Sequence, residues 1–438
     1  MPENHFAVIG AGAFGGWTAL YLRRMGARVT LIDAWGPGNA RASSGGETRV
    51  IRGTYGPNQP YTRMTARAMQ LWKEHEQRWK RHLFHKIGVL WLAGKGDDQF
   101  ERGSVPLLRE AGIPCEELST SEIANRWPQF NLDGVGWGIY EPESGFLTAR
   151  VACQVVVEQF IAEGGDYKQA VASAGDLEDG SLEALALSDG SKLVADQYIF
   201  ACGPWLGQLF PQAIGDRVRA TKQDMFFFGT PAGDDSFSEA KLPVWGDYRG
   251  RFVYGIPASD GRGFKIADDT RGPAFDPTSG ERSVSADGLR AIREYLALRF
   301  PRMKDAPLIE TRVCQYENTP DNHFIIDRHP AAENVWLLGG GSGHGFKHGP
   351  ALASDPPAHP LAPLTCSIGN DDRQTLAIPF VGYAAGMIGI YQADLTIPDA
   401  PPEGESLLIC TAPDPGGTYG SSALLSTTTE SAPVGAIR

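Results

Sequence analysis

The sequence is short of positive charge, of cysteine and of long apolar runs, and each shortage closes off a class of function. Lys and Arg number 40 against 52 Asp and Glu, a formal net charge of −12, which argues against nucleic acid or an anionic membrane as a partner. No apolar stretch reaches the roughly 20 residues that a membrane span needs, so no membrane partner is expected. The opening residues, Met1-Pro2-Glu3-Asn4, lack the pattern of a secretory signal and lead straight into an apolar run. Six cysteines are scattered over 438 residues with no Cys-x-x-Cys spacing. Neither a zinc site nor a disulfide framework is indicated, no metal is expected, and a reducing cytoplasm is the expected compartment.

Hydrophobic residues make up 42% of the chain and charged residues 21%, ordinary proportions for a globular protein with a large core and two or three domains. The clearest pattern lies at the start. Phe6-Ala7-Val8-Ile9 reads as a buried strand, Gly10-Ala11-Gly12-Ala13-Phe14-Gly15 fits G-x-G-x-x-G, and a helix follows from about Phe14 to Arg24. A second strand, Arg28 to Ile32, is closed by Asp33. With 53 glycines in the chain, an isolated match would mean little. Strand, turn, helix, strand and acid in that order mark a dinucleotide site. Gly10 permits the turn, Gly12 lets the backbone approach a pyrophosphate, Gly15 lets the helix pack on the strand, and Asp33 can accept a ribose hydroxyl. The acid disfavours NADP but does not separate NAD from FAD.

Further along, helices are expected over Tyr61–Arg81, Val151–Ala162 and Ala286–Phe300, with a capping box Ser119-Thr120-Ser121-Glu122 ahead of a short one. Leu182 to Val194 reads as a hairpin around Asp189-Gly190, and Val218 to Ile266 as antiparallel strands. Asn334 to Leu338 reads as a last parallel strand before a glycine-rich run. Strand–helix units recur at both ends and in the middle, with mixed β segments between them.

Two downstream runs, Thr311-Arg312-Val313-Cys314-Gln315-Tyr316 and Gly341-Ser342-Gly343-His344-Gly345-Phe346-Lys347, stand out when read behind the fingerprint. Taken alone, Cys314 is a small buried hydrophobe, Arg52 a surface ion pair, and Lys265 a solvated lysine. Together with Thr48-Arg49-Val50-Ile51-Arg52, Glu141-Pro142-Glu143-Ser144-Gly145, Ala201 to Trp205, Tyr254 to Pro257, Gly263-Phe264-Lys265 and His323 to Asp327, they occur in an order that resembles the monomeric sarcosine oxidase, N-methyltryptophan oxidase and pipecolate oxidase family. The resemblance runs from the N-terminus to about Leu352.

That resemblance implies an α/β (mixed α+β) fold: a glutathione-reductase-like, Rossmann-type FAD-binding domain with an inserted antiparallel-sheet substrate domain. It divides the chain into 1–80, 146–215 and 311–354 for FAD, and 81–145 and 216–310 for substrate. It implies FAD attached covalently through Cys314. Further cofactor contacts would come from Ser43, Ser44, Arg49, Val171, Gly341, Gly343, His344, Gly345 and Lys347. It implies that Arg52 and Lys347 clamp a substrate carboxylate, that Lys265 promotes reaction with oxygen, and that Arg49 and Tyr254 act at the flavin face. Tyr316, Trp245 and Asp269 would line the substrate pocket. The activity implied is oxidation of secondary or tertiary amino acids by a monomer. Hydride passes to flavin N5, the imine hydrolyses, and O2 becomes hydrogen peroxide. Alternatives are a dehydrogenase using another acceptor, or a flavin-binding protein with little activity.

Two features depart from the family. Asp269 stands where the family often has a histidine, four residues after the lysine, which points away from sarcosine toward a bulkier or more polar amine. After Leu352 the chain leaves the family pattern for Asp355-Pro356-Pro357 and a Pro/Gly/Ser-rich tail over 355–438. A small β module is expected at 377–398, and disorder from Leu424 onward.

Overall fold

The computed structural model describes residues 4–354 except 176, 178, 179 and 250, together with the backbone of several strands beyond 354. Contacts divide the chain into two units, Met1–Ala353 and Ser354–Arg438.

In the first unit the fingerprint folds as expected. His5–Ile9 lies between Arg28–Asp33 and Gln197–Phe200, parallel to both, and the sheet continues to Asp166–Gln169 on one side and Ala332–Gly339 on the other. Ile325–His329 adds an antiparallel edge. Ala7, Val8, Leu31 and Ile32 are fully buried, as the unbroken apolar runs of a two-sided parallel sheet require. Helix Ala13–Arg24 packs against the sheet and against helix Ala149–Ala162. Gly10 has φ +107°, and a Cβ there would fall 2.3 Å from the Ala201 carbonyl oxygen. A Cβ on Gly15 would fall 1.9 Å from the oxygen of Gly10. Neither position admits a side chain, so the first strand, its helix and the Ala201 turn can close on one another only through glycine.

The second layer is an eight-stranded, largely antiparallel sheet. Its order is Leu308–Asn318, Arg219–Phe228, Phe264–Asp268, Arg251–Ile256, Val244–Arg249, Val89–Gly94, Val135–Glu141 and Glu116–Ser119. Helix Ala286–Arg299 covers it, burying Ile292 and Leu296 among Phe226, Phe228 and Phe264. Arg299 and Asp247 form a buried ion pair at 2.8 Å there, and Tyr295 donates to the same carboxylate at 2.7 Å. Leu308–Asn318, with Cys314 in it, pairs along its length with Arg219–Phe228, so residue 311, where the expected division has a boundary, lies inside a strand of this sheet.

The expected helices at 61–81 and 151–162 are Gln59–Trp79 and Ala149–Ala162, and the expected hairpin is the pair Leu185–Leu187 and Lys192–Leu193. The capping box is complete: Ser119 Oγ accepts from the Glu122 amide at 3.3 Å, and the Glu122 carboxylate accepts from the Ser119 amide at 2.7 Å. Ser119→Ala should cost about 1 kcal/mol of stability, read as a lower urea midpoint with unchanged slope.

In the second unit, Ala377–Tyr383 pairs antiparallel with Tyr391–Thr396, as expected for 377–398, while 376, 384–390 and 397–398 lie outside the described residues. Gly404–Asp414 pairs with Gly417–Thr427. Leu424 to Thr427 is therefore strand, a correction to the expectation of disorder there, and 428–438 lies outside the described residues.

Candidate active site

Two adjoining cavities in the first unit share Arg49, Tyr316, Gly343 and Phe346 as common wall. The larger, about 220 Å³, runs from Asp33 and Val171 past Gly10 and Gly12 to Gln315 and Tyr316. Asp33 is fixed at one end: Oδ2 accepts from the Ala11 amide at 2.8 Å, and Oδ1 from the amides of Trp35 and Gly36 at 2.9 and 2.8 Å. Burial raises its pKa against those three donors. Ser44 Oγ accepts from the Ala13 amide at 3.1 Å, where helix Ala13–Arg24 begins, and Ser43 Oγ donates to the Gln315 carbonyl at 2.7 Å. Ser43, Ser44 and Val171 all line this cavity, as do Gly341, Gly343 and Gly345. Gly15 does not; its part is to let the helix approach.

Arg49 joins the cavities. Its guanidinium donates to the carbonyls of Ser43 and Thr48 and stands 3.3 Å from Cys314 Sγ. Cys314 is 7% exposed and opens on the smaller cavity.

The smaller cavity, about 80 Å³, brings together Arg52, Trp91, Tyr254, Asp269, Tyr316 and Lys347. Arg52 stacks its guanidinium 3.9 Å above the ring of Tyr55, and Lys347 Nζ lies 5.1 Å from the same ring. Lys347 is 3% exposed and donates to the His344 carbonyl at 2.8 Å. Burial, then the nearby Arg52, push its pKa well down. Among the described residues neither cation pairs with a carboxylate.

Lys265 is 2% exposed rather than solvated. Its ammonium donates to the Thr48 carbonyl at 3.0 Å and lies 5.7 Å from the Tyr254 ring. Burial, reinforced by the charge of Arg49, lowers its pKa to about 7. It stands in the wall behind Tyr254 rather than lining the open space of either cavity.

Three expected site residues border the smaller cavity and have structural parts as well. Trp245 borders the smaller cavity, but its ring is fully buried, stacked on Tyr295 at 5.7 Å and against Phe264 at 6.3 Å. It is core first. Asp269 borders the cavity with both oxygens engaged: Tyr316 Oη donates to one at 2.7 Å and Arg271 to the other at 3.1 Å. Arg271 in turn donates to the Ser342 carbonyl at 2.8 Å, so Asp269 braces Tyr316 and the glycine-rich loop. His344 turns its ring toward the Asn322 carbonyl at 2.9 Å and Tyr55 Oη at 3.3 Å. Burial and the adjacent Lys347 lower its pKa to about 3, so the ring is neutral.

Sequence reasoning missed Tyr55, the ring beside both Arg52 and Lys347, whose hydroxyl meets His348 Nε2 at 2.7 Å. It also gave no part to Glu141, fully buried and accepting from the amides of Gly53 and Thr54, at 2.7 and 3.1 Å, and from the hydroxyls of Thr54 and Ser144, both at 2.6 Å. Glu141 fixes the chain just after Arg52. Its run was noticed as a motif, but a buried acceptor cannot be told from a surface carboxylate by residue type.

The glycine turn, the acid at one end and the helix N-terminus facing the cavity together fit a dinucleotide. Residues 5–354 match the family model described as FAD dependent oxidoreductase (DAO). The chain belongs to that family. This FAD-dependent oxidoreductase is 30% identical over 358 residues to monomeric sarcosine oxidase of Bacillus sp. (strain B-0618), covering 79% of this chain and 89% of that one. It is 28% identical over 352 residues to N-methyl-L-tryptophan oxidase of Salmonella enteritidis PT4 (strain P125109), covering 79% and 91%. L-Proline dehydrogenase from P. horikoshii shares its fold with a TM-score of 0.70 at 19% identity, over 81% of this chain and 92% of that one. Iminodiacetate oxidase from Chelativorans sp. BNC1 does so with a TM-score of 0.65 at 22% identity, over 80% and 94%. The family match ends at 354, where the second unit begins. No helix among the described residues is long and apolar enough to cross a membrane.

Proposed function

We propose that this oxidoreductase oxidises a secondary or tertiary amino acid and passes the electrons to O2, giving hydrogen peroxide. The observation that carries this reading is the pair of cations, Arg52 and Lys347, on one small cavity, neither of them paired with a carboxylate among the described residues, the nearby Asp269 being engaged by Tyr316 and Arg271. Such a pair calls for an anion, and a planar fork beside an ammonium suits a substrate carboxylate. The names of the sarcosine and N-methyl-L-tryptophan oxidase relatives agree with an amino acid as substrate. FAD, when bound, supplies the acceptor for a hydride from the carbon next to nitrogen, after which water hydrolyses the imine.

The chain's own part is placement and charge. Arg52 and Lys347 hold the carboxylate. Tyr254 and Tyr316 wall the cavity on the Cys314 side, and the Asp269–Arg271 brace keeps Tyr316 in place. The cations of Arg49, Arg52 and Lys347 favour release of a proton from the substrate ammonium, leaving the neutral amine whose lone pair assists hydride loss. Lys265 is the fixed positive charge for the oxygen half of the cycle.

Covalent attachment belongs to the same proposal, because Arg49 lies against Cys314 at the junction of the cavities. Acid-precipitated protein should give a yellow pellet, and Cys314→Ala should release its flavin to the supernatant. Complete release from the unmutated protein would remove Cys314 from this part. We further take the enzyme to be a monomer, in keeping with its sarcosine oxidase relatives. The free thiols of Cys115, Cys153 and Cys202 accord with a reducing compartment such as the cytoplasm.

A further inference from the structure

One carboxyl on the larger cavity has no part in the chemistry above. Glu317, next but two after Cys314 on strand Leu308–Asn318, is 6% exposed and lines the cavity between its Asp33 end and its Tyr316 end. Its Oε1 has no hydrogen-bond partner among the described residues, and its Oε2 receives one long contact, 3.5 Å, from the Gly341 amide. The carboxyl lies under the turn Gly339–Gly341: a Cβ on Gly339 would meet Oε1 at 2.2 Å, and Leu206 at 2.7 Å. Phe14 closes the other side of Gly341. Its surroundings are therefore apolar side chains and glycine backbone. The Cys202 thiol, which burial holds un-ionised, faces it, and Asp33, Arg49 and Tyr316 are the other titratable groups on the same cavity.

A carboxyl so placed needs a partner, and the cavity is where that partner must come from. Burial raises its pKa to about 7, against the weak help of the Gly340 and Gly341 amides. Ionised, it would put negative charge into a cavity shaped for a pyrophosphate. Un-ionised, it has an O–H to give.

We propose that Glu317 is a cofactor-binding residue that donates a hydrogen bond, as the neutral acid, to an oxygen of the ribityl–pyrophosphate chain of FAD. The proposal rests on this chain binding FAD, and its test separates the two. Apoprotein would be prepared from Cys314→Ala, whose flavin is not tethered, and FAD affinity measured by fluorescence quenching from pH 6 to 9. Binding of FAD by this parent checks the cofactor; the second substitutions check Glu317. Adding Glu317→Ala should weaken FAD about five- to tenfold at pH 7, the loss of one hydrogen bond. Adding Glu317→Gln should stay near the parent, because an amide also donates. The parent's affinity should fall as pH rises through the carboxyl's pKa, and that of the Glu317→Gln variant should stay level. ADP, titrated in the same way, distinguishes the acceptors: a loss with ADP as well as FAD marks the pyrophosphate, and a loss with FAD alone marks the ribityl chain. Equal affinity of the Glu317→Ala variant and the parent, or equal pH slopes for the parent and Glu317→Gln, would overturn the proposal. Circular dichroism of each variant shows whether it has folded.

Discussion

Lys265→Met will leave anaerobic reduction of the flavin by substrate within a small factor of the parent. Reoxidation by O2 will slow by about 10²- to 10³-fold, the usual cost of removing one preorganised charge from a transition state. The asymmetry follows from position. Lys265 lines neither cavity, so it does not hold the substrate, and its charge matters only where negative charge builds on oxygen. Methionine suits the test because it is close in shape and fills a buried site without charge. It removes one of two donors to the Thr48 carbonyl, Arg49 keeping the other at 2.8 Å, a loss of about 0.5–1.5 kcal/mol in stability that thermal melting will report separately. The oxygen half-reaction also has a pH sign. A lysine is charged below its pKa, and this one is lowered to about 7 by burial and by Arg49. Reoxidation should therefore slow as pH rises through that region, and Lys265→Met should abolish the slope. Stopped-flow measurement of both half-reactions decides the matter. Equal losses in the two would make Lys265 a structural residue, and fast reduction by an amine with slow native reoxidation would favour another acceptor.

Arg52→Ala will lower kcat/KM for an amino acid substrate by roughly 30- to 1,000-fold, equivalent to about 2–4 kcal/mol, the cost of stranding a charged partner in a desolvated site. Arg52→Lys should be nearly as poor, because it keeps the charge and loses the fork that stacks on Tyr55. The fold should hardly notice either change. Among the described residues Arg52 donates to the neighbouring Thr54 carbonyl, and Glu141 anchors that segment independently. Amines lacking a carboxylate should be affected far less, and steady-state kinetics on a matched pair of substrates will show this. Parent-like kinetics with the amino acid would remove Arg52 from the site.

The parts of this molecule that could be read from sequence are those in which a residue type is compelled by its neighbours in the chain. Gly10, Gly15 and Asp33 are of that kind, and so is the capping box at Ser119. The parts that could not be read depend on which strands become neighbours. Nothing in Arg312-Val313-Cys314-Gln315-Tyr316 says that it pairs with Arg219–Phe228 rather than with the parallel sheet, because an apolar–polar strand looks alike in either. Trp245 could as well have been pocket as core; it borders the smaller cavity while its ring stacks on Tyr295, from a helix about 50 residues later in the chain. Asp269 was expected as a substrate contact, and it became a brace only once Arg271 and Tyr316 were seen on either side of it. Tyr55 and Glu317 gave no local signal, since a tyrosine under two cations and a buried carboxyl with one oxygen unpartnered are facts of three dimensions.

The placement of strand Leu308–Asn318 bears on how substrate can enter. The strand is laced to Arg219–Phe228 on one side, and the glycine-rich loop is laced to it on the other: the Ser342 amide donates to the Glu317 carbonyl at 2.8 Å, and the Thr319 amide to Ser342 Oγ at 3.2 Å. The two sheets are thus sewn together beside the two cavities, along the seam that a clamshell motion would have to tear. A substrate of the proposed kind is therefore expected to enter past the segments flanking the smaller cavity: slow amide exchange along 308–318 and 219–228 should persist through turnover while exchange elsewhere around that cavity quickens.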